Sequence, residues 1–183
     1  MTNAEMAVLG LVIEQPRHGY QIEQVIEQRG MRRWTEIGFS SIYFLLKKLE
    51  RQKFIKGEWE KTEHGKERWA KVYRPTDAGL VAFHAAIVEA LSMPQPTPRP
   101  LMLGLANFPA VSINEASVAL NQYSRQLTEK MEILRNFHDS GQHSHPYFVD
   151  AMFELSLAVM QAELEWVEKF TKQIQEQSQT KEE

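Results

Sequence analysis

Hydrophobic and polar positions follow different patterns in the two halves of the chain, and the first half begins with three helical patterns. Residues 3–14 are mostly apolar and stop before Pro16, which predicts a buried helix because the residue before a proline disfavours helical backbone. A second helix is predicted over 18–29, where Gly30 provides a C-terminal stop. Apolar residues spaced by three and four predict a third helix over 40–51.

A hairpin is predicted after the third helix. Residues 54–61 and 67–74 alternate between apolar and polar side chains, and Gly65 supplies the positive φ of a tight turn between them. The alternation places six residues on one face, namely Ile55, Gly57, Trp59, Trp69, Lys71 and Tyr73. Because this face is only partly apolar, we expect one side of the hairpin to lie on the helices and the other in water. Thr76 then caps a fourth helix that ends near residue 91.

The order of these elements and the second half of the chain predict a mainly α protein with two domains. Three helices followed by a charged two-stranded β hairpin are typical of a winged helix-turn-helix domain, which we place at 1–92. Four prolines make 93–100 a linker, and 101–183 is predicted to be an α-helical dimerisation domain. There, Ser112 and Glu115 form a capping box that begins a long helix.

The last helix, predicted over 147–175, carries two apolar stripes. The first stripe is Phe148, Met152, Leu155, Val159, Ala162, Trp166 and Phe170, and the second is Phe153, Leu157, Met160, Leu164, Val167 and Ile174. One stripe covers one partner helix, and the chain offers one such helix nearby, so we predict that the surplus is buried in a homodimer. The predicted dimer contacts are Leu155, Val159, Met160, Leu164, Trp166 and Val167. The alternative is that the second stripe packs on the winged helix of the same chain.

The third helix combines an apolar stripe with a basic and aromatic face. Ile42, Leu45, Leu46 and Leu49 form the stripe, and at about 100° per residue Ser40, Phe44, Lys47 and Arg51 fall on the opposite side. Cations, hydroxyls and an aromatic group suit the phosphates, base edges and thymine methyls of a DNA major groove. The alternatives are a solvated face, or a Phe44 partly buried under the hairpin. The predicted DNA contacts are Ser40, Ser41, Tyr43, Phe44, Lys47, Lys48 and Arg51, with Lys61, His64, Lys66 and Arg68 in the wing.

The charge distribution separates the two halves. The whole chain has a formal net charge of -3, but residues 38–74 contain ten Lys or Arg against five Glu. Residues 93–183 contain seven Lys or Arg against twelve Asp or Glu. A basic segment beside an acidic one indicates that the two segments have different roles. We expect roughly three to five phosphate contacts per subunit and a DNA affinity that falls steeply with salt.

The remaining polar motifs have structural interpretations. We expect Gly19 to permit a tight entry into the second helix, His18 to cap it and Tyr20 to pack. His138, Asp139, His143 and His145 have the ligand types of a zinc or nickel site, but a polar loop has the same composition, and we predict no metal and no cofactor.

The chain contains no cysteine, P-loop, nucleophile elbow or dinucleotide fingerprint, so we predict that it is not an enzyme. The N-terminus lacks the basic start of a signal peptide and the apolar run at 6–13 is too short for a membrane span, so we expect a cytoplasmic protein.

Three segments of the first half resemble the PadR family of bacterial transcriptional regulators. AVLGLVIEQPRHGYQIEQVIE is similar to the first two helices of that family, through Gly10, Leu11, Val12, Pro16, His18, Gly19, Tyr20 and Ile22. FSSIYFLLKKLERQKFI resembles its recognition helix, and AKVYRPTDAG resembles its second wing strand and the next helix cap. Ser40 stands where the family often has Gly, Phe44 stands where it usually has Pro, and Pro75 replaces an aliphatic residue. Because of Phe44, the family's preference for a DNA sequence is not carried over to this chain.

The resemblance implies a transcriptional regulator that dimerises through its C-terminal part and responds to phenolic or planar aromatic compounds. Such a small aromatic effector would meet tryptophans, although we expect Trp34, Trp59, Trp69 and Trp166 to lie mostly in the core. Our hypothesis is a homodimeric repressor that binds an inverted-repeat operator in double-stranded DNA. The alternative is a winged-helix protein-interaction module, or a ligand sensor without specific DNA binding.

Overall fold

A computed structural model describes residues 1–35, 37–38, 41–61, 69–94, 100–139 and 146–179. The chain divides into two compact units, Met1–Pro96 and Thr97–Glu183. Within the described ranges, no helix stays apolar over the length that a bilayer crossing requires.

The first unit is a winged helix. Its helices are α1 (Asn3–Glu14), α2 (Gly19–Gln28), α3 (Ile42–Arg51) and α4 (Asp77–Ser92), and its strands are β1 (Arg17–His18), β2 (Ile55–Lys61) and β3 (Trp69–Pro75). A short 3-10 turn, Met31–Arg33, follows α2. The predicted fold class is confirmed, and the predicted helices and hairpin strands agree with the observed ones to within one or two residues.

The core of the first unit forms between α1, α2 and α3. Its fully buried aliphatic side chains include Val8, Leu9, Val12, Ile22, Ile26, Ile42, Leu46 and Leu49. The predicted apolar stripe of α3 therefore faces inward as a whole, since Leu45 is buried as well. Ile55, the first residue of β2, is buried in the same cluster and anchors the hairpin. Burial of each such side chain stabilises the fold by about 1.5–3 kcal/mol.

A third strand, β1, joins the two predicted ones, so the sheet has three antiparallel strands in the order β1-β3-β2. The strand contains only Arg17 and His18, which is too short for an alternating pattern to be visible in the sequence. Its position is held by Arg17, whose buried guanidinium donates to the carbonyl of Leu11 and to Glu14 Oε2, the latter at 2.8 Å. The end of α1 is thereby tied to the edge of the sheet.

Thr76 and Gly79 attach α4 to the turn between α3 and β2. The Thr76 hydroxyl accepts a hydrogen bond from Gly79 N at 3.0 Å, which confirms the predicted cap, and donates to the Lys53 carbonyl at 2.6 Å. Gly79 lies against the backbone of Phe54, because a Cβ added at position 79 would be 2.0 Å from the Phe54 carbonyl oxygen. The close approach of α4 therefore requires glycine at this position.

The second unit is helical in its described residues. It contains α5 (Pro100–Ala106), a 3-10 turn (Phe108–Ala110), α6 (Ile113–Asp139) and α7 (Tyr147–Gln179). The two long helices were predicted, although α7 continues past residue 175. The short α5 was not predicted. It begins at Pro100, and a proline is tolerated there because the first helical N–H has no partner within the helix.

Helices α6 and α7 pack along an apolar seam. Ala116 and Leu120 from α6 form a buried cluster with Val167 and Ile174 from α7. Beside this cluster, the Tyr123 hydroxyl donates to Glu163 Oε1 at 2.7 Å. The pairing of the two helices mainly uses the stripe of α7 that contains Val167 and Ile174, and Phe170 from the other stripe packs beside the cluster.

Replacing Gly79 with Ala is expected to lower the free energy of unfolding by about 1–3 kcal/mol, because the new Cβ forces α4 away from the Phe54 carbonyl. The matched control is Gly104→Ala in α5, where an added Cβ meets no atom within 4 Å and alanine favours the helix by about 1 kcal/mol. Urea unfolding followed by circular dichroism measures both. A Gly79→Ala variant as stable as the parent would contradict the described packing of α4.

Candidate nucleic-acid interface

Helix α3 begins at Ile42, and the residue before it, Ser41, belongs to a turn that is closed by Gly38. Ser41 is the N-cap, but its hydroxyl donates to the Gly38 carbonyl at 2.7 Å instead of accepting a hydrogen bond from the helix. Ser40, which was predicted to contact DNA, lies outside the described residues. Ser41, which was also predicted to contact DNA, is half-buried and stays a prediction, and the exposed face of α3 begins at Tyr43.

The outward face of α3 presents aromatic and basic side chains. Phe44 is 66% exposed, so it is not buried under the hairpin, and Tyr43 beside it is exposed to a similar extent. Lys47 and Arg51 are exposed as well. Neither of these cations forms an ion pair with any carboxylate in the described part of the chain. Their charges are available to an external anion.

Lys48 was predicted to contact DNA, and the structure corrects this. Its Nζ lies 2.6 Å from Oε1 of Glu5, a carboxylate on α1 whose side chain is 3% exposed. Burial alone would raise the pKa of Glu5, but the interactions with Lys48 and with the Thr2 backbone hold that pKa below its ordinary value of 4.5. A helical wheel could not show this role, because the carboxylate comes from another helix.

The wing contributes one described cation to the candidate interface. Lys61 is exposed, and its Nζ lies 5.9 Å from the centroid of the Trp69 ring. The other predicted wing contacts, His64, Lys66 and Arg68, lie outside the described residues and stay predictions. Lys56 and Arg74 occupy the opposite face of the hairpin and are paired with glutamates of β2.

An aromatic groove lies between the start of α2, the start of α3 and the hairpin. We use this name for a pocket of about 470 Å³ whose lining includes Tyr20, Tyr43, Trp59, Trp69, Lys71 and Tyr73. The strand register places Trp59 opposite Lys71 and Gly57 opposite Tyr73, which confirms that these hairpin residues share one face. The groove therefore separates the outward face of α3 from the wing.

Two expectations about the aromatic side chains are wrong. The four tryptophans were expected mostly in the core, but Trp34, Trp59, Trp69 and Trp166 are all exposed, Trp59 to 65%. Tyr20 was expected to pack, but it is exposed and its ring stacks on His18 with the centroids 6.4 Å apart. The capping role of His18 is confirmed, since its Nδ1 accepts from Gln21 N at 3.3 Å. Sequence reasoning assigned these aromatic residues by residue type and so missed the groove.

In the described part of the histidine segment that resembled a metal site, the ring of His138 is hydrogen-bonded to two aspartates. His138 Nε2 lies 2.9 Å from Asp150 Oδ1, and Nδ1 lies 3.3 Å from Asp139 Oδ1. These hydrogen bonds raise the pKa of His138 above its ordinary value. His143 and His145 lie outside the described residues, and the described ones contain no group of three potential metal ligands.

The two stripes of α7 have different surroundings within the second unit. Val167 is fully buried in the cluster with α6, so it is removed from the predicted dimer contacts. Met160 and Leu164 lie on the same stripe and are half-buried. We call the other stripe the outer stripe of α7; its residues Leu155, Val159 and Trp166 are exposed, Leu155 to 67%. The sequence showed two stripes but not which of them α6 covers.

Comparison with known families finds a similarity in the first unit. Residues 8–85 match the model of the transcriptional regulator PadR-like family. The winged-helix region is thus similar to that family of transcriptional regulators, as the sequence motifs predicted. No curated protein matches the chain.

Solved structures with a similar fold cover most of the chain. Bacillus subtilis PadR in complex with operator DNA has a TM-score of 0.74 at 24% identity, over 93% of this chain and 98% of that one. The same protein in complex with p-coumaric acid has a TM-score of 0.71 at 22% identity, over 93% and 98%. A PadR-like transcriptional regulator from Bacillus cereus has a TM-score of 0.67 at 18% identity, over 95% and 97%. At these identities the likeness shows the fold.

Lys48→Ala is expected to lower the free energy of unfolding at neutral pH by about 2 kcal/mol, because it leaves the Glu5 carboxylate buried without its cation. The matched control is Lys47→Ala, on the exposed neighbour, which should change stability little.

The loss caused by Lys48→Ala should shrink as the pH falls below 4.5. There the parent loses stability, because the unfolded chain takes up the Glu5 proton before the folded chain, whose Glu5 has a lowered pKa; the variant gains, because a protonated Glu5 needs no cation. Urea unfolding at pH 7 and at about pH 4 measures both differences. An equal loss at the two pH values would contradict the role assigned to Lys48.

Proposed function

We propose that this chain is a DNA-binding transcriptional regulator, a repressor that binds an inverted-repeat operator as a homodimer. The observation that carries this proposal is the outward face of α3, where exposed Phe44 lies beside Lys47 and Arg51, two cations without a described ion-pair partner. Exposed aromatic side chains among free cations are typical of a contact surface. Bacillus subtilis PadR, which has a similar fold, has been solved in complex with operator DNA.

In the proposed complex, α3 lies in the major groove. Lys47 and Arg51 neutralise phosphates, the hydroxyls of Ser40 and Tyr43 contact phosphates or base edges, and Phe44 contacts a thymine methyl. The wing contacts phosphate or the minor groove through Lys61, His64, Lys66 and Arg68. Because most of these contacts are to phosphates, affinity falls steeply with salt while specificity depends on the few contacts to bases.

The homodimer is supported by the outer stripe of α7. A continuous apolar stripe in water is unfavourable, and a two-fold axis allows the stripe to cover itself in a second copy. A two-fold dimer presents two copies of α3 to two half-sites, about one helical turn or roughly 34 Å apart, on an inverted repeat. A dimer that occupies an operator within a promoter excludes the polymerase, which is the basis of the proposed repression.

We extend the proposal to a small aromatic effector. Bacillus subtilis PadR has also been solved in complex with p-coumaric acid. A ligand that binds the free dimer more tightly than the DNA-bound dimer lowers the DNA affinity by the same factor. Such a ligand would convert the proposed repressor into a regulated one.

The double variant Lys47→Ala with Arg51→Ala is expected to weaken binding to the chain's own upstream intergenic DNA by about 10-fold or more. Its slope of log affinity against log salt should fall by about 2, since two phosphate contacts are lost. The measurement is fluorescence anisotropy at two salt concentrations, with a scrambled duplex for comparison.

The matched control for this experiment is Lys56→Ala, which removes an exposed lysine from the opposite face of the hairpin. It should bind like the parent. Parent-like binding by the folded double variant would overturn the DNA assignment to α3. A partner bound with no dependence on salt would favour a protein-interaction module instead.

Val159→Lys is expected to raise the dimer dissociation constant by about 10-fold or more, because it places a charge in the proposed apolar interface. The matched control is Gln161→Lys, which adds the same side chain on the polar side of α7. Sedimentation equilibrium of both variants measures the association. Dissociation of the two variants to the same extent would show that the outer stripe of α7 is not the interface.

A further inference from the structure

We propose that Glu50 is a positioning residue for DNA selection. Its carboxylate holds the hairpin at a fixed place beside α3, and this raises the preference of the protein for its operator over other duplexes. Glu50 acts through the hairpin and makes no contact with the duplex. The role in DNA selection rests on the proposed function, whereas the contacts of the carboxylate do not.

The charge of Glu50 is opposite to that of the surface around it. It is the one acidic residue in the sequence of α3, which also contains Lys47, Lys48 and Arg51. A carboxylate on the helix proposed to enter the major groove repels phosphates, and so lowers the affinity for any duplex. The contacts of the Glu50 side chain show what compensates for this repulsion.

The two oxygens of the Glu50 carboxylate bind different strands of the hairpin. Oε1 accepts a hydrogen bond from Gly57 N on β2 at 3.1 Å, and Oε2 accepts one from Lys71 Nζ on β3 at 2.8 Å. We call these two contacts the Glu50 clamp. Because both strands are tied to the same carboxylate, a rotation of the hairpin about the end of α3 breaks at least one of the contacts.

Gly57 provides the space for the Glu50 clamp. A Cβ at position 57 would overlap Cε of Lys71 and lie 3.0 Å from Oε1 of Glu50. Glycine therefore lets the lysine side chain pass over β2 to the carboxylate. Lys71 Nζ also lies 5.6 Å from the centroid of the Tyr73 ring, and Tyr73 packs against the hydrophobic core. The lysine is thus held by the core as well as by α3.

The Glu50 clamp is better shielded from water than the other ion pairs of the hairpin. The side chains of Glu50 and Lys71 are 32% and 29% exposed, against 51% and 59% for Glu58 and Lys56 on the opposite face. The hydrogen bond to Glu50 raises the pKa of Lys71 above its ordinary value, so the pair is ionised at neutral pH. An ion pair that is less screened by water and salt constrains its partners more strongly.

A fixed hairpin favours the operator over other duplexes. Specific binding requires α3 to reach base edges while the wing contacts the backbone, and a hairpin that must first be ordered reduces the affinity. Non-specific binding is mainly electrostatic and tolerates many positions of the hairpin. The Glu50 clamp therefore raises the affinity for the operator, while the Glu50 charge lowers the affinity for every duplex.

The test measures, by fluorescence anisotropy, how the full chain binds its own upstream intergenic DNA and a scrambled duplex. Glu50→Ala should weaken operator binding by about 5- to 10-fold, because the hairpin is released. It should strengthen binding to the scrambled duplex by about 2-fold, because a negative charge is lost. The matched control is Glu60→Ala, which removes a carboxylate that pairs with Arg74 on the opposite face of the hairpin. It should leave the ratio of the two affinities unchanged.

Gly57→Ala tests the geometry of the Glu50 clamp without a change of charge. The new methyl group displaces the Lys71 side chain, so operator binding should fall by about 3-fold or more while binding to the scrambled duplex stays at the parental level. The matched control is Gly104→Ala, where an added Cβ meets no atom within 4 Å, and both affinities should be parental. Circular dichroism verifies that all these variants are folded.

A double-mutant cycle distinguishes positioning of the wing from a general loss of structure. One background has alanine at the proposed wing cations Lys61, Lys66 and Arg68. There, Glu50→Ala should have little effect on operator binding, since few wing contacts are left to position. In the Lys47→Ala background it should keep its full effect. Equal factors in the two backgrounds would overturn the positioning role.

Hydrogen exchange at the Gly57 amide, followed by NMR, tests the Glu50 clamp without DNA. Strand β2 lies at the edge of the sheet, and this amide donates to Glu50. It should exchange about 10-fold faster or more in Glu50→Ala than in the parent, and at the parental rate in Glu60→Ala. Equal exchange in the parent and in Glu50→Ala would overturn the clamp and leave the DNA proposal intact.

Two binding results separate the role of Glu50 from the proposed function. A parent that binds the operator and the scrambled duplex equally would overturn both the proposed function and the role of Glu50 in DNA selection. A parent that selects the operator, beside a folded Glu50→Ala that binds the operator as tightly or more tightly, would overturn only the positioning role. The repulsion by the Glu50 charge would then outweigh any effect of the clamp.

Discussion

Burial of the apolar stripe of α3 is the constraint on which the first unit depends. Ile42, Leu46 and Leu49 are fully buried against the other helices, and this fixes the rotation of α3 about its axis. Phe44 and Lys47 must then face water, although an exposed phenylalanine is unfavourable. Turning α3 to bury Phe44 would expose several aliphatic side chains, each at about 1.5–3 kcal/mol, so the rotation holds.

The same constraint positions the hairpin and therefore the aromatic groove. Ile55 enters the core at the start of β2, while Glu50 near the end of α3 accepts hydrogen bonds from Gly57 N and from Lys71 Nζ. These hydrogen bonds hold the hairpin against the end of α3. Trp59 lies further along β2 and stays exposed. The groove lies between α3 and the hairpin, which are joined at one end. Its aromatic lining follows from the alternation of side chains along the strands.

In the second unit, the apolar pattern of the sequence predicts the helices but not how they pack. The sequence correctly placed two long helices and two apolar stripes on the last of them, because spacing by three and four is a local property. It could not show that α6 covers the stripe containing Val167 and leaves the one containing Leu155 exposed. Both stripes satisfy the same periodicity, and only the packing of one helix on another distinguishes them.

By itself, the sequence determined the winged-helix order of elements, the inward stripe and outward face of α3, the capping roles of His18 and Thr76, and the shared face of the hairpin. All of these depend on residues close together in the chain. The tertiary structure alone decided that Lys48 neutralises Glu5 and that a two-residue strand completes the sheet. It alone gathered aromatic rings from four elements into one groove. The physical reason is that burial, ion pairing and cavity shape are set by neighbours distant in sequence, which no local pattern encodes.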